Sequence, residues 1–309
     1  MKVITFATKH GGALKYLEES FHRLSDSSKH EFIKVGWGKQ WRGFGDRLIQ
    51  YRDEMSTLDP DAVCLVIDGY DVLLTGDMGA LETQYKTCKA NGKVVFSTET
   101  HSSISVIGNY CVMGPPVKQN GETIYICAGA YIGTARSLVT MLNKVINTNE
   151  CNHHAADDQY LLTKLCRQNP DDYMYDTESA WFLTWSAFTD DMTRKDVVLS
   201  VDGTLRYKTE HPFVLHRQFA ADLEETILGL GYQMTEEDIA AVKRDPNYHY
   251  KFYKHHIEHR WQLIPDLVKL CFLIFLLVLV LILVFYLCID SSKKEVSVWT
   301  RSPHVHWDL

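Results

Sequence analysis

The chain has 309 residues, 46% of them hydrophobic and 23% charged, with a formal net charge of −7. These values describe an ordinary globular chain, long enough for one large α/β domain or two small ones. A net negative charge without long basic runs excludes a nucleic-acid binder as a first reading, and the His-rich basic stretch from Lys251 to Arg260 is better explained by the apolar run that follows it.

In chain order, strand-like runs at Lys2 to Ala7, Glu31 to Val35, Ala62 to Ile67 and Lys93 to Ser97 alternate with helical patterns at Ala13 to Leu24, Asp46 to Leu58 and Gly79 to Ala90. Such alternation reads as βαβ units, hence a mainly parallel sheet covered by helices on both faces. Between Thr98 and Glu122 the pattern dissolves into Ser, Asn, Gly and the pair Pro115-Pro116, which predicts a long irregular excursion beside the sheet. Ile124 to Ile132 predicts a further strand, interrupted by Gly129, with helices following from Ala135 to Asn147 and from Asp157 to Cys166. Shorter β-like pieces come next at Val197 to Ser200, Leu205 to Lys208 and Phe213 to His216, and Thr235-Glu236-Glu237-Asp238 opens a helix in the manner of a capping box.

From Leu270 to Ile289 every residue is apolar or Cys, about the twenty residues a helix needs to cross a bilayer core, and no polar stripe relieves the run. The expected organisation is therefore one domain over residues 1–262, a juxtamembrane segment and transmembrane helix over 263–290, and a short tail over 291–309. The N-terminus reads as a first strand rather than a signal peptide. With no Asn-x-Ser/Thr acceptor and eight Cys in no paired spacing, the chain is expected to be anchored by its C-terminal helix with the folded domain in the cytosol, a lumenal placement being the alternative.

The run Ala62 to Leu74 ends its apolar stretch in two carboxylates, Asp68 and Asp71, with Tyr70 between them. A buried strand cannot hold two carboxylates cheaply, so they belong at its C-terminal tip, where an open α/β sheet forms its ligand crevice. Carboxylates there can hold a divalent ion that bridges nucleotide phosphates, although paired acids also serve as plain turn formers or helix caps. Upstream, Gly36 to Arg47 packs four Gly, two Trp and several cations just before a helix. Its glycines, Gly43 among them, let backbone amides approach phosphate, and an indole can stack on a base.

Six blocks carry a resemblance: Gly38-Lys39-Gln40-Trp41-Arg42-Gly43, Val66-Ile67-Asp68-Gly69-Tyr70-Asp71-Val72, Val95-Phe96-Ser97-Thr98-Glu99, Ala128-Gly129-Ala130-Tyr131-Ile132-Gly133, Asp157-Asp158-Gln159 and Pro212-Phe213-Val214-Leu215-His216. In this order they resemble the glycosyltransferase domain of the procollagen lysyl hydroxylases and, more distantly, the collagen galactosyltransferases. The resemblance implies a GT-A fold, a nucleotide-sugar-binding Rossmann-like mixed sheet flanked by helices, that transfers a hexose from a UDP-sugar with Mn2+. It further implies that Asp68, Asp71 and His216 bind the metal, that Trp41 and Tyr70 hold the uridine, and that Arg47 stands where the family has a lysine near the phosphates. Asp157 and Asp158 correspond to the end of an acidic stretch near the transferred sugar, and the family's retention of configuration implies that one of them stabilises an oxocarbenium ion or acts as nucleophile. Read without the family, the same pair is an acidic helix start that favours the dipole.

The chain departs from the family at Cys127, where the family has Asn, at the shortened acidic run, and at Arg217-Gln218-Phe219, where the family reads Gly-Asn-Gly. No hydroxylase domain is expected, since the apolar run follows directly. The expected activity is transfer of glucose or galactose from a UDP-sugar to an unidentified protein or glycan acceptor. The alternatives are a domain that binds a nucleotide sugar or a protein without turnover, and another metal-dependent nucleotide-processing enzyme.

Overall fold

Strand β3 (Val63–Asp68) shows how both faces of the sheet come to be covered. Its side chains alternate strictly: Cys64 and Val66 join the core beneath helices α2 (Phe44–Met55), α4 (Ala135–Ile146) and α5 (Asp158–Gln168), while Val63, Leu65 and Ile67 join the opposite core beneath α1 (Leu14–Leu24) and α3 (Met78–Thr87). The same two-residue period carries Asp68 onto the side of Val66, under α2 and α5. This places the strand's last residue against Arg47 and Asp158.

The computed structural model describes residues 1–88, 92–99, 116–148, 157–185, 193–218, 223–243 and 272–286. The sheet runs in the order β2 (Glu31–Val35), β1 (Lys2–Phe6), β3, β7 (Glu122–Thr134), β5 (Val94–Glu99), β9 (Phe182–Thr184), β12 (Val214–His216) and β4 (Val72–Leu74). Strand β1 is parallel to β2 and β3, and β12 is parallel to β9, but β7 runs antiparallel to both β3 and β5, and β4 antiparallel to β12. The mixed sheet implied by the family resemblance forms, and the mainly parallel reading of the strand–helix alternation is corrected at β7 and β4. Apolar periodicity marks a strand without marking its direction. Strand β7 leaves a hairpin with β6 (Val117–Gln119) whose two turn residues, Asn120 and Gly121, have φ of 50° and 85°, matching the right-handed strand twist. Strand β8 (Tyr173–Asp176) adds to β5, and β10 (Val197–Leu199) pairs with β11 (Leu205–Tyr207) apart from the main sheet.

Strand β7 carries the irregularity that shapes the site. Ile132 and Tyr131 pair with Val95 and Phe96, but the next partner of Ser97 is Cys127, so Ala128, Gly129 and Ala130 have no counterpart on β5. Ala130 still pairs with Ile67 of β3. Backbone groups at and beside this bulge are met by Gln159 of α5, whose Oε1 accepts from the Ala128 amide at 2.7 Å while its Nε2 donates to the Ile126 carbonyl at 2.8 Å.

A smaller third core collects Tyr16, Leu183, Trp185 and Leu215 with helix α6 (Leu223–Gly229) and Val242 of α7 (Glu236–Val242). Helix α7 opens with the expected capping box between Thr235 and Asp238. Residues Met1–Tyr250 form one compact unit and Lys251–Leu309 a second. Residues 272–286 of the second are helical, and every side chain in that helix is apolar and exposed. Among the described residues no helix is long and apolar enough to cross a membrane. The ends of the predicted span, the basic stretch at 251–260, the tail, most of the irregular excursion and Cys111, Cys151, Cys271 and Cys288 lie outside the described residues. Cys64, Cys127 and Cys166 are buried thiols.

Replacing Gln159 by Leu leaves two strand groups of β7 without partners, and each unmet buried group costs about 1–3 kcal/mol. Urea unfolding of Gln159→Leu is therefore expected to show a stability loss of about 2–6 kcal/mol; an unchanged midpoint would mean that Gln159 does not hold the bulge.

Candidate active site

Asp68 and Asp71 flank a turn between β3 and β4, and the third member of the cluster arrives from far along the chain. Strands β4 and β12 pair so that His216 lies opposite Val72, and the ladder continues with the Arg217 amide donating to the Asp71 carbonyl at 2.8 Å. The imidazole is thereby seated beside both carboxylates: His216 Nε2 stands 3.4 Å from Asp71 Oδ1 and 3.8 Å from Asp68 Oδ2. One ligand atom from each of Asp68, Asp71 and His216 falls within 4.8 Å of the others, the geometry expected of ligands that converge on one cation.

The residues present fit such an ion. His216 is 3% exposed, and its Nε2 makes no hydrogen bond of good geometry although it faces two carboxylates. A buried polar nitrogen left in this way costs free energy unless something else satisfies it. Gly129, at the centre of the β7 bulge, leaves the space open: a Cβ there would lie 2.2 Å from His216 Cε1 and 2.9 Å from Asp68 Oδ2. On the far side of the ring, Nδ1 is 3.3 Å from Cys127 Sγ. Burial pulls the His216 pKa down, but the Asp71 carboxylate and Cys127 outweigh it and hold the ring well above its ordinary value.

Arg47, on the first turn of α2, ties the cluster to α5. Its Nη1 donates to Asp68 Oδ1 at 2.6 Å and its Nη2 donates to Asp158 Oδ2, so one guanidinium is shared by two carboxylates. Burial disfavours its charge, yet Asp158 and Asp68 together raise its pKa well above normal. Asp158 is 5% exposed; burial pushes its pKa up, Arg47 pulls it down, Asp68 pushes it up again, and the net shift is upward. Asp157 caps α5, accepting from the Tyr160 amide at 3.1 Å, as the acidic-helix-start reading expected.

The remaining expected residues surround this centre in different ways. Gly43 is the N-cap of α2 with φ of 109°, a conformation that costs a side-chain-bearing residue, and it sets the helix start that places Arg47. Trp41 is 45% exposed, its ring packed edge-on against Phe6 and Phe44 at centroid distances of 5.5 and 5.2 Å. Tyr70 is engaged with the β1–α1 loop: its hydroxyl accepts from the Thr8 amide at 3.0 Å and donates to the Lys9 carbonyl at 3.1 Å. Arg217, where the family has Gly, is turned away and buried, its guanidinium 3.7 Å from the Trp185 ring centroid. Residue types and spacing did not single out Cys127, Gly129 or Gln159 as parts of the site. The signal for Gly129 was its interruption of an apolar strand, which marks a bulge or a close approach.

The family model described as the PLOD GT domain matches residues 1–217. A procollagen-lysine,2-oxoglutarate 5-dioxygenase of Drosophila melanogaster is 25% identical over 177 residues, which cover 53% of this chain and 22% of that protein. The chain thus spans about a fifth of the length of the curated relative it matches. Among solved structures, that of galactosyltransferase LgtC in complex with donor and acceptor sugar analogs covers 78% of this chain and 100% of its own, at 13% identity and a TM-score of 0.45.

Gly129→Ala is expected to push the His216 ring off the carboxylates and to weaken binding of a divalent ion about tenfold or more, within the range seen when the surroundings of metal ligands are disturbed. Titration of the full chain with Mn2+, followed by the loss of the free-ion paramagnetic signal, measures this, and an unchanged affinity would place the ion elsewhere.

Proposed function

The chain belongs to the PLOD GT domain family, a glycosyltransferase domain of the procollagen lysyl hydroxylase type, and from that premise we propose that it is a metal-dependent hexosyltransferase of GT-A architecture. Its donor is a UDP-sugar, UDP-glucose or UDP-galactose, its ion Mn2+, and its acceptor a hydroxyl-bearing protein or glycan. The observation that carries this reading is the convergence of Asp68, Asp71 and the buried, unsatisfied Nε2 of His216 at the C-terminal end of β3.

Asp68, Asp71 and His216 would hold a divalent cation, which when bound would supply positive charge to offset the donor diphosphate and favour UDP as leaving group. The protein's own groups do the rest. Trp41, exposed beside Phe6 and Phe44, offers the uracil ring a stacking surface, and Tyr70 fixes the neighbouring loop through its hydroxyl while its ring lines the same end of the sheet. Arg47 steadies Asp68 and adds positive charge near the leaving group. Transfer proceeds with retention, and Asp158, ion-paired to Arg47 next to the metal cluster, is the carboxylate assigned to stabilise charge developing on the sugar, with Asp157 behind it as helix cap. Cys127 in place of the family's Asn favours a second reading, a domain that binds the nucleotide sugar without turnover.

The test is release of UDP by the full chain in detergent with Mn2+ and a panel of UDP-sugars. Turnover with one hexose donor supports transfer; UDP binding without release supports the second reading; neither binding nor release with any donor overturns both. Asp71→Ala is expected to abolish metal-dependent UDP binding. Trp41→Ala is expected to weaken UDP binding about tenfold, the scale of a lost base-stacking contact, with Mn2+ affinity retained.

We also propose that the apolar run over residues 270–289 attaches the chain to a membrane. Supporting this, the helix over residues 272–286 is apolar on every face and leaves all those faces exposed. Removal of residues 263–309 is expected to move the protein from the membrane fraction to the supernatant of a carbonate wash. A full-length chain that alkaline carbonate already strips from membranes would exclude an integral anchor.

A further inference from the structure

His216 has two ring nitrogens with opposite surroundings. Nε2 faces Asp68 and Asp71, and Nδ1 faces Cys127 Sγ at 3.3 Å. An imidazole ligates a metal through a nitrogen lone pair, so the nitrogen aimed at the carboxylates must give up its hydrogen and the other must keep one. Which nitrogen does so depends on the partner that Nδ1 finds.

We propose that Cys127 is a positioning residue for the metal site: its sulfur accepts the Nδ1–H of His216, fixing the ring's orientation and the tautomer that leaves Nε2 as ligand. The inference rests on the metal reading of Asp68, Asp71 and His216. The sulfur is not itself a ligand in this arrangement, because it contacts the ring nitrogen directed away from the carboxylates.

Three features of the fold support the assignment. Cys127 is 1% exposed and His216 3%, so no water competes freely for Nδ1. Cys127 is the residue at which β7 regains its pairing with β5, opposite Ser97, after the unpaired Ala128, Gly129 and Ala130. Its position is thus set by the ladder on one side and by Gln159 on the other, through the bonds to the Ile126 carbonyl and the Ala128 amide. The bulge also puts Gly129 under the ring, where a Cβ would collide with Nδ1 at 2.7 Å. One three-residue irregularity therefore makes room for the imidazole and delivers its hydrogen-bond partner. Thiol sulfur is a weak acceptor, but a polarisable one suited to a ring donor at this longer distance.

The experiment uses the full chain in detergent, loaded with Mn2+ alone or Co2+ alone, with the melting midpoint in EDTA as a control for folding. Cys127→Ala removes the acceptor and is expected to raise the Mn2+ dissociation constant about 10- to 100-fold, the usual effect of deleting such a partner. Cys127→Ser keeps an acceptor and is expected to recover most of that loss, and kcat at saturating Mn2+ should change far less than the Mn2+ concentration needed for half activity. Wild-type affinity in Cys127→Ala overturns the proposal. So does an equal loss in Ala and Ser that follows the EDTA melting midpoint, which would mean a packing role. A thiolate-to-cobalt charge-transfer band that disappears in Cys127→Ser also overturns it, since the sulfur would then be on the metal. If the wild type binds no Mn2+, or Asp71→Ala binds it equally well, the metal site itself is misassigned and the proposal falls with it.

Discussion

The shared guanidinium of Arg47 is the interaction on which the arrangement of this end of the sheet depends. Asp68, Asp71 and Asp158 are brought together where an apolar strand ends, and Arg47 is the side chain that binds two of them at once. Three carboxylates meet here, Asp158 buried and Asp68 and Asp71 partly exposed, and the Arg47 guanidinium and the His216 ring, held well above its ordinary pKa, offset only part of their charge. A divalent cation bound there would add to that offset. Without Arg47 the strain would fall first on Asp158, whose pKa burial and Asp68 already drive upward. The elements around the site follow from this need: Gly43 starts α2 at the residue that presents Arg47, and α5 directs its positive N-terminal end at Asp157 and Asp158.

The second constraint is room. Two core layers press on the sheet, and β7 is buried along most of its length, so an imidazole can be seated beside β3 only if a neighbouring strand gives way. Strand β7 does so by carrying three residues that β5 does not match, with glycine in the middle. Bulges next to reactive groups are a common means of re-aiming side chains. Here the displaced backbone is recaptured by Gln159, which lies next in sequence to Asp158. The helix that carries the acid thereby also stabilises the strand irregularity that admits the histidine.

Much of this was legible in the sequence, and the boundary of legibility has physical causes. The βαβα alternation of the first ninety residues is carried by local apolar periodicity, and strands β1, β2, β3 and β5 form within a residue or two of their expected limits. The acid pair at the tip of β3 was equally legible, because burying it mid-strand would be costly. His216 was not: a histidine ending a short strand is unremarkable until pairing with β4 sets it beside Asp71, and only the family resemblance singled it out. Arg47 was expected near phosphate and also holds Asp68 and Asp158, a contact between residues 111 positions apart that no local pattern encodes. Tyr70 was read as a uridine contact; that its hydroxyl is bound into the β1–α1 loop is a contact no local pattern encodes. The direction of β7 was invisible for the same reason, and its bulge was marked only by the interruption at Gly129.

Asp68 resolves an apparent conflict between these interactions. A carboxylate that anchors an arginine is usually a poor candidate for a metal ligand, because the two cations compete for it. In this chain the two oxygens are divided: Oδ1 accepts from Arg47 at 2.6 Å, while Oδ2 faces His216 Nε2 and the space preserved by Gly129. A cation can therefore be taken up on one oxygen while the ion pair persists on the other. The ion pair then serves the ligand, because it fixes the rotation of the carboxylate and removes the need to order that side chain when the ion arrives. The Asp71 main chain is held by the Arg217 amide on its carbonyl, and the His216 ring lies against Cys127 Sγ. Asp68 and His216 are thus each held by a contact besides the one toward the cluster, and the Asp71 backbone by its ladder bond, so the three residues that could hold a cation are positioned before one binds.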